Sequence, residues 1–118
     1  MSNKVLVNCS HGKDDVERAT VAFIVASAAS TTGETAMFLT AHAVGLATKG
    51  GADGVQADKY PPIKQLIDAI VENGGKLWVC PACASARGIT PDQLIAGAEI
   101  AGAARTIGFV NDGARTLM

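Results

Sequence analysis

The stretch "KLWVCPACASARG", Lys76 to Gly88, decides how this chain is read. Lys76 to Cys80 is a short apolar run suited to a buried strand, and Pro81 ends it because proline cannot donate to a sheet ladder. Small residues then run to Gly88, so strand passes directly into helix. Pro81 suits the first helical position, which makes Cys80 the N-cap and puts Cys83 at N3. There the unpaired backbone N–H groups of Ala82 and Cys83, with the positive end of the helix dipole, favour a thiolate on Cys80. Helical side chains lean toward the N-terminus, so Arg87 reaches back over Cys83 and adds positive charge. Burial by Trp78 and Val79 acts in the opposite sense.

Working outward, the same strand-then-helix grammar recurs. Lys4 to Cys9, "KVLVNC", reads as a strand buried on both faces, and "HGKDD" as the loop after it. Asp14 three residues ahead of Glu17 fits a capping box, so a helix starts there and runs toward Ser30. Beyond Arg18 this helix is apolar or small nearly all round, which implies a subunit partner, since a lone surface helix keeps a solvated face. Glu34 to Thr40 is the second strand, followed by an irregular, glycine-rich segment to Tyr60. Ile63, Leu66, Ile67, Ile70 and Val71 fall at i, i+3, i+4, i+7 and i+8, an amphipathic helix that Gly74 stops. Thr90-Pro91-Asp92-Gln93 opens a further short helix with a capping glutamine. In the tail, Gly102, Gly108 and Asn111-Asp112-Gly113 favour a strand at Ala98 to Ala101, a helix to about Val110 and a last strand at Ala114 to Met118.

Strands alternating with helices predict an α/β chain, flavodoxin-like, with three layers and a largely parallel sheet. The 118 residues carry no Pro/Gly/Ser-rich linker, no internal repeat and no low-complexity tract, so residues 1–118 are expected to form one domain. Nearly half the residues are apolar but only 4% are aromatic, so the core is expected to be helices set closely on the sheet. A formal charge of -1 excludes the electrostatic footprint of a nucleic-acid or anionic-membrane binder. Ala19 to Gly33 is too short and too rich in Ser and Thr to span a membrane. Asn8, Ser10, His11 and Lys13 break the opening apolar run too early for a leader peptide, which predicts a cytoplasmic protein. Three cysteines, an odd number, argue against a secreted disulfide framework and for thiol or metal chemistry in a reducing compartment.

In a flavodoxin-like sheet the second and third strands flank the first, and ligands bind beyond the strands' carboxyl ends. That order predicts that Cys9, Ser10, His11, Cys80 and Cys83 converge on one crevice. Cys9 with His11 and Cys80 with Cys83 then offer two chelating pairs of the type zinc accepts. C-P-A-C also invites a thiol–disulfide reading, in which Cys80 attacks and Cys83 resolves. Cys83 equally suits the helix's inner face, Cys9 alone reads as core, and His11 and His42 read as solvated loop histidines. Asp14 and Asp15 read as helix-start carboxylates. "TKGGADG" lacks the lysine-serine/threonine ending of a phosphate loop and is read as a flexible rim. No Ser-His-Asp set stands out.

These residues resemble the DsrE/DsrF-like small sulfur-relay proteins, including the TusD and YchN-like groups. The segments that carry the resemblance are "HGKDDVERATVAF", "MFLTAHAVGLATKG", "VCPACASARGI" and "AEIAGAARTIGFVNDG", which together span nearly the whole chain. The resemblance implies compact flavodoxin-like subunits assembled as homotrimers or homohexamers. It further implies a persulfide-carrying cysteine in a C-x-x-x-x-x-x-R-G-[VI] setting, matched by Cys80, Arg87, Gly88 and Ile89. On that pattern Cys80 is the sulfur acceptor and Cys83 an additional cysteine. Sulfur donor and acceptor proteins are the expected partners, and no organic cofactor is required. The competing expectation is a non-catalytic oligomeric binding subunit with a zinc or small-ligand site at Cys9, His11, Cys80 and Cys83.

Overall fold

The computed structural model describes residues 3–118, which form five strands and four α-helices. Strand β1 (Val5–Cys9), helix α1 (Val16–Ser30) and strand β2 (Thr35–Leu39) open the chain. A 3-10 segment, Ala41–Ala47, precedes helix α2 (Ile63–Glu72) and strand β3 (Lys76–Val79). Helix α3 (Pro81–Ala86), strand β4 (Ala98–Ile100), helix α4 (Ala103–Asn111) and strand β5 (Arg115–Leu117) complete it. The tail is therefore strand, helix, strand, as its glycine breaks predict. Pro91–Gln93 makes a single 3-10 turn, in which the Gln93 carboxamide oxygen accepts from the Thr90 amide at 3.1 Å.

All strand pairings are parallel, in the order β4-β3-β2-β1-β5. This corrects the expected arrangement, because β2 lies between β1 and β3 instead of outside them. The order follows from chain direction. Steps β1 to β2 to β3 to β4 move one way across the sheet, and right-handed crossovers then stack α1, α2 and α3 on one face. The return from β4 to β5 reverses direction and lays α4 on the other.

Strand alternation sorts the core accordingly. Val7, Cys9, Met37, Leu39, Leu77 and Val79 point toward Phe23, Ile63, Ile67 and Ile70 of α1 and α2. Leu6, Ala36 and Trp78 point toward Phe109 of α4, where the Trp78 and Phe109 rings meet edge to face at 5.4 Å. Each large side chain enclosed in this way contributes roughly 1.5–3 kcal/mol, so the double-faced burial accounts for the continuous apolar strands.

Helix α1 begins one residue later than the sequence suggests. Asp15, not Asp14, is its N-cap, and its carboxylate accepts from the Arg18 amide at 3.1 Å. Asp14 instead accepts from the Gly12 amide at 2.7 Å, tightening the loop after β1. The inner row of α1 is buried, while Val21, Ile24 and Ala29 are only half-buried and Ala28 is exposed. Gly74 and Gly88, after α2 and α3, take φ of +86° and +67°, the left-handed turn that stops a helix.

Candidate functional site at the carboxyl ends of the strands

Cys80 follows β3 and is the N-cap of α3, with Pro81 at the first helical position. Its amide donates to the Leu39 carbonyl of β2 at 3.0 Å, and its carbonyl accepts from the Ala84 amide at 2.9 Å. The residue is therefore fixed at both ends while its side chain stays half-buried. Burial pushes the thiol's pKa up, but the Cys83 amide, the Cys83 thiol and the Ala82 amide together outweigh it and leave the pKa below its ordinary value. No side-chain cap hydrogen bond is closed by Cys80, so the two amides act on Sγ as the positive end of the helix and not as a formed cap.

Cys83 is half-buried on α3 and packs against the main core, so it has both an inner-face position and access to Cys80. Arg87 does reach back one turn: Nη1 donates to the Cys83 carbonyl at 3.2 Å. Its charge thus arrives at the backbone of the cysteine turn. Cys80, Ala82, Cys83 and Arg87 form one short, continuous unit.

Cys9 and His11 do not join that unit. With β2 between β1 and β3, and neighbouring strands about 4.8 Å apart, Cys9 stands roughly two strand spacings from the end of β3. Its side chain is 4% exposed and Sγ donates to the His11 carbonyl at 3.3 Å. Burial raises its pKa, opposed by the His11 backbone and reinforced by the Asp14 charge, so Cys9 is held as a neutral core thiol. His11 Nδ1 lies 3.2 Å from Asp14 Oδ2. Cys9, Ser10 and His11 line a cavity of about 470 Å³ with Asn8, Arg18 and Val21, between β1 and α1. Among the described residues, no three His, Cys, Asp or Glu side chains gather in a metal-holding arrangement. The four-ligand zinc site expected from Cys9, His11, Cys80 and Cys83 is therefore not assembled, because β2 separates its two halves.

Sequence reasoning passed over a second grouping at this edge. Lys13, His42 and Arg87 line one cavity of about 330 Å³ together with Gly45, Thr48 and Gly51. They come from the segments after β1, β2 and β3, which this strand order sets side by side. A Cβ on Gly12 would meet the His42 carbonyl oxygen at 2.4 Å, and one on Gly51 would meet the Gly45 carbonyl oxygen at 2.0 Å. Within the glycine-rich rim, Gly51 is thus packed against the Gly45 backbone. Ala41, ahead of His42, has φ of +50°, a left-handed conformation that costs a non-glycine residue about 1–3 kcal/mol.

The fold and the cysteine turn define a class: a small α/β domain with a half-buried cysteine, its thiol pKa lowered, at the carboxyl edge of a parallel sheet. Residues 3–118 match the DsrE/DsrF-like family, and the chain belongs to it. An uncharacterized protein of Methanocaldococcus jannaschii is 32% identical over 101 residues, 85% of this chain. The aligned region spans 37% of that relative's length. Among solved structures, the ychN protein from E. coli superposes with a TM-score of 0.68 at 20% identity, covering 99% of this chain and all of its own. A protein of unknown function from Methanobacterium thermoautotrophicum superposes with a TM-score of 0.66 at 11% identity, covering 97% and 96%. At those identities the structural likenesses concern the fold. No helix among the described residues is long and apolar enough to cross a membrane.

Proposed function

We propose that this chain is a sulfur carrier that holds sulfane sulfur as a persulfide on Cys80 and relays it to a partner protein. The observation that carries the reading is the setting of Cys80: a half-buried thiol at the start of α3 whose ionisation is favoured by the groups around it. Membership in the DsrE/DsrF-like family supports it, since Cys80, Arg87, Gly88 and Ile89 match the pattern associated with sulfur relay.

Loading is attack of the Cys80 thiolate on the terminal sulfur of a donor persulfide. The new S–S bond forms at Cys80 as the donor's S–S bond breaks, and the donor leaves as thiolate. Delivery is the same exchange in reverse sense: an acceptor thiolate takes the terminal sulfur and Cys80 departs as thiolate. A lowered thiol pKa serves both steps, raising the attacking fraction and improving the leaving group. Cys83 offers an alternative exit, because its thiol can attack the inner sulfur, closing a Cys80–Cys83 disulfide and releasing hydrogen sulfide. That proximity also favours a thiol–disulfide redox role as the second reading.

The partners are a sulfur donor and a sulfur acceptor protein, the compartment is a reducing cytoplasm, and the working unit is a homotrimer or homohexamer. The test of the relay is incubation with a persulfide donor followed by intact-mass and peptide mapping. The expected result is a gain of one sulfur atom on Cys80 and its disappearance in Cys80→Ser, with fold and assembly unchanged. Loading that persists in Cys80→Ser would sink the proposal.

A further inference from the structure

The cavity lined by Lys13, His42 and Arg87 shares Arg87 with the cysteine turn, but neither Cys80 nor Cys83 lines it. All three side chains are exposed, and among the described residues neither Lys13 nor Arg87 is paired with a carboxylate. The nearby acid is Asp14, whose carboxyl feels the His42 charge, but its oxygens are already occupied by the Gly12 amide at 2.7 Å and His11 Nδ1 at 3.2 Å. Thr48 cannot serve as a donor to a ligand, because its hydroxyl donates to the Gly45 carbonyl at 2.7 Å. Among the described residues, the lining therefore presents basic donors and no carboxylate, and the nearby Asp14 has its oxygens turned to other partners.

Bringing like charges together in a concavity is unfavourable unless something neutralises them, and a concave cationic site concentrates counter-ions. The gathering is also held in place. The close approach of Gly12 to the His42 carbonyl locks the Lys13 loop to the 3-10 segment, and Gly51 seals the far wall against Gly45 and Thr48. The Arg87 guanidinium is anchored through Nη1 to the Cys83 carbonyl, which leaves its remaining N–H donors for a ligand.

We infer that this cavity binds a small, doubly charged tetrahedral oxyanion of the sulfate and phosphate class, held by Lys13, Arg87 and His42. Lysine supplies a compact charge, arginine a planar fork of donors and histidine a third, which together suit an oxyanion with acceptors in several directions. About 330 Å³ leaves room for the anion and ordered waters around it. The inference stands apart from sulfur transfer, since it requires no reaction at Cys80.

The test is a titration of the full chain, followed by amide NMR, with sodium sulfate and separately with sodium phosphate, against sodium chloride at matched ionic strength. The expected result is saturable shifts around residues 12–14, 41–49 and 87–88 with either oxyanion and not with chloride. Lys13→Gln and Arg87→Gln should each weaken the apparent affinity about tenfold or more. Lys76→Gln, at the opposite end of β3, should leave it unchanged, as should Cys80→Ser. Linear shifts common to all three salts, or saturable binding that survives the Lys13→Gln/Arg87→Gln double variant, would overturn the assignment.

Discussion

Cys9 ends a strand and Cys80 directly follows one, yet their thiols are driven in opposite directions. Cys9 points into the core between sheet and α1, where burial raises its pKa and the opposing influence of the His11 backbone does not overcome it. Cys80 lies one residue past its strand, so its side chain meets the start of α3. Asp14 shows the same dependence on a single neighbour. The Gly12 amide holds its carboxyl at about 2, helped by His11, while partial burial opposes the shift. A depressed carboxyl pKa contributes stability above its ordinary value of 3.8 that is lost as pH falls through about 2. The stability gap between the native chain and Asp14→Asn, measured by denaturant unfolding, should therefore be present at neutral pH and shrink across that window. The gap should be small, because this carboxyl is solvent-exposed; a gap that stays constant down to pH 2 would contradict the assignment.

Among the elements, α2 and the Cys80–Gly88 turn were the most legible, because each carries its own local signal. The apolar spacing of Ile63, Ile67 and Ile70 places those residues in the core, and Pro81 with Gly88 brackets α3 at both ends. The start of α1 was less legible, since Asp14 and Asp15 are both competent caps and only the loop geometry gives the role to Asp15. The 3-10 segment Ala41–Ala47 left no periodic signal, being too short for a helical pattern and buried through small residues. Helix α1 keeps the feature that suggested a partner: Val21, Ile24, Ala28 and Ala29 remain at least partly accessible on its outer side. The proposed assembly predicts a mass of three or six subunits by light scattering at micromolar concentration. A monomeric mass would refute it, and Ile24→Glu in an otherwise folded chain should shift the mass downward if α1 lies in the interface.

At the scale of the molecule, alternating strands and helices gave the α/β class and the parallel sheet, but not the order of strands. Order depends on which way each crossover steps, and no local residue pattern encodes that. Placing β2 between β1 and β3 dissolved the expected meeting of Cys9, His11, Cys80 and Cys83. The same placement created the Lys13, His42 and Arg87 cavity, whose members are far apart in sequence and individually ordinary. The rule that ligands gather beyond the carboxyl ends of parallel strands was the one available signal for them. The topology thus divides three cysteines into an enclosed one beneath β1 and a pair at the open start of α3. Site-resolved alkylation of the native chain across pH, read by mass spectrometry, tests that division most directly. Rapid labelling of Cys80 well below the ordinary thiol range is expected, with Cys9 protected until the fold is lost. Labelling of Cys80 no faster than an unperturbed thiol, or of Cys9 ahead of it, would contradict an activated thiolate at this site.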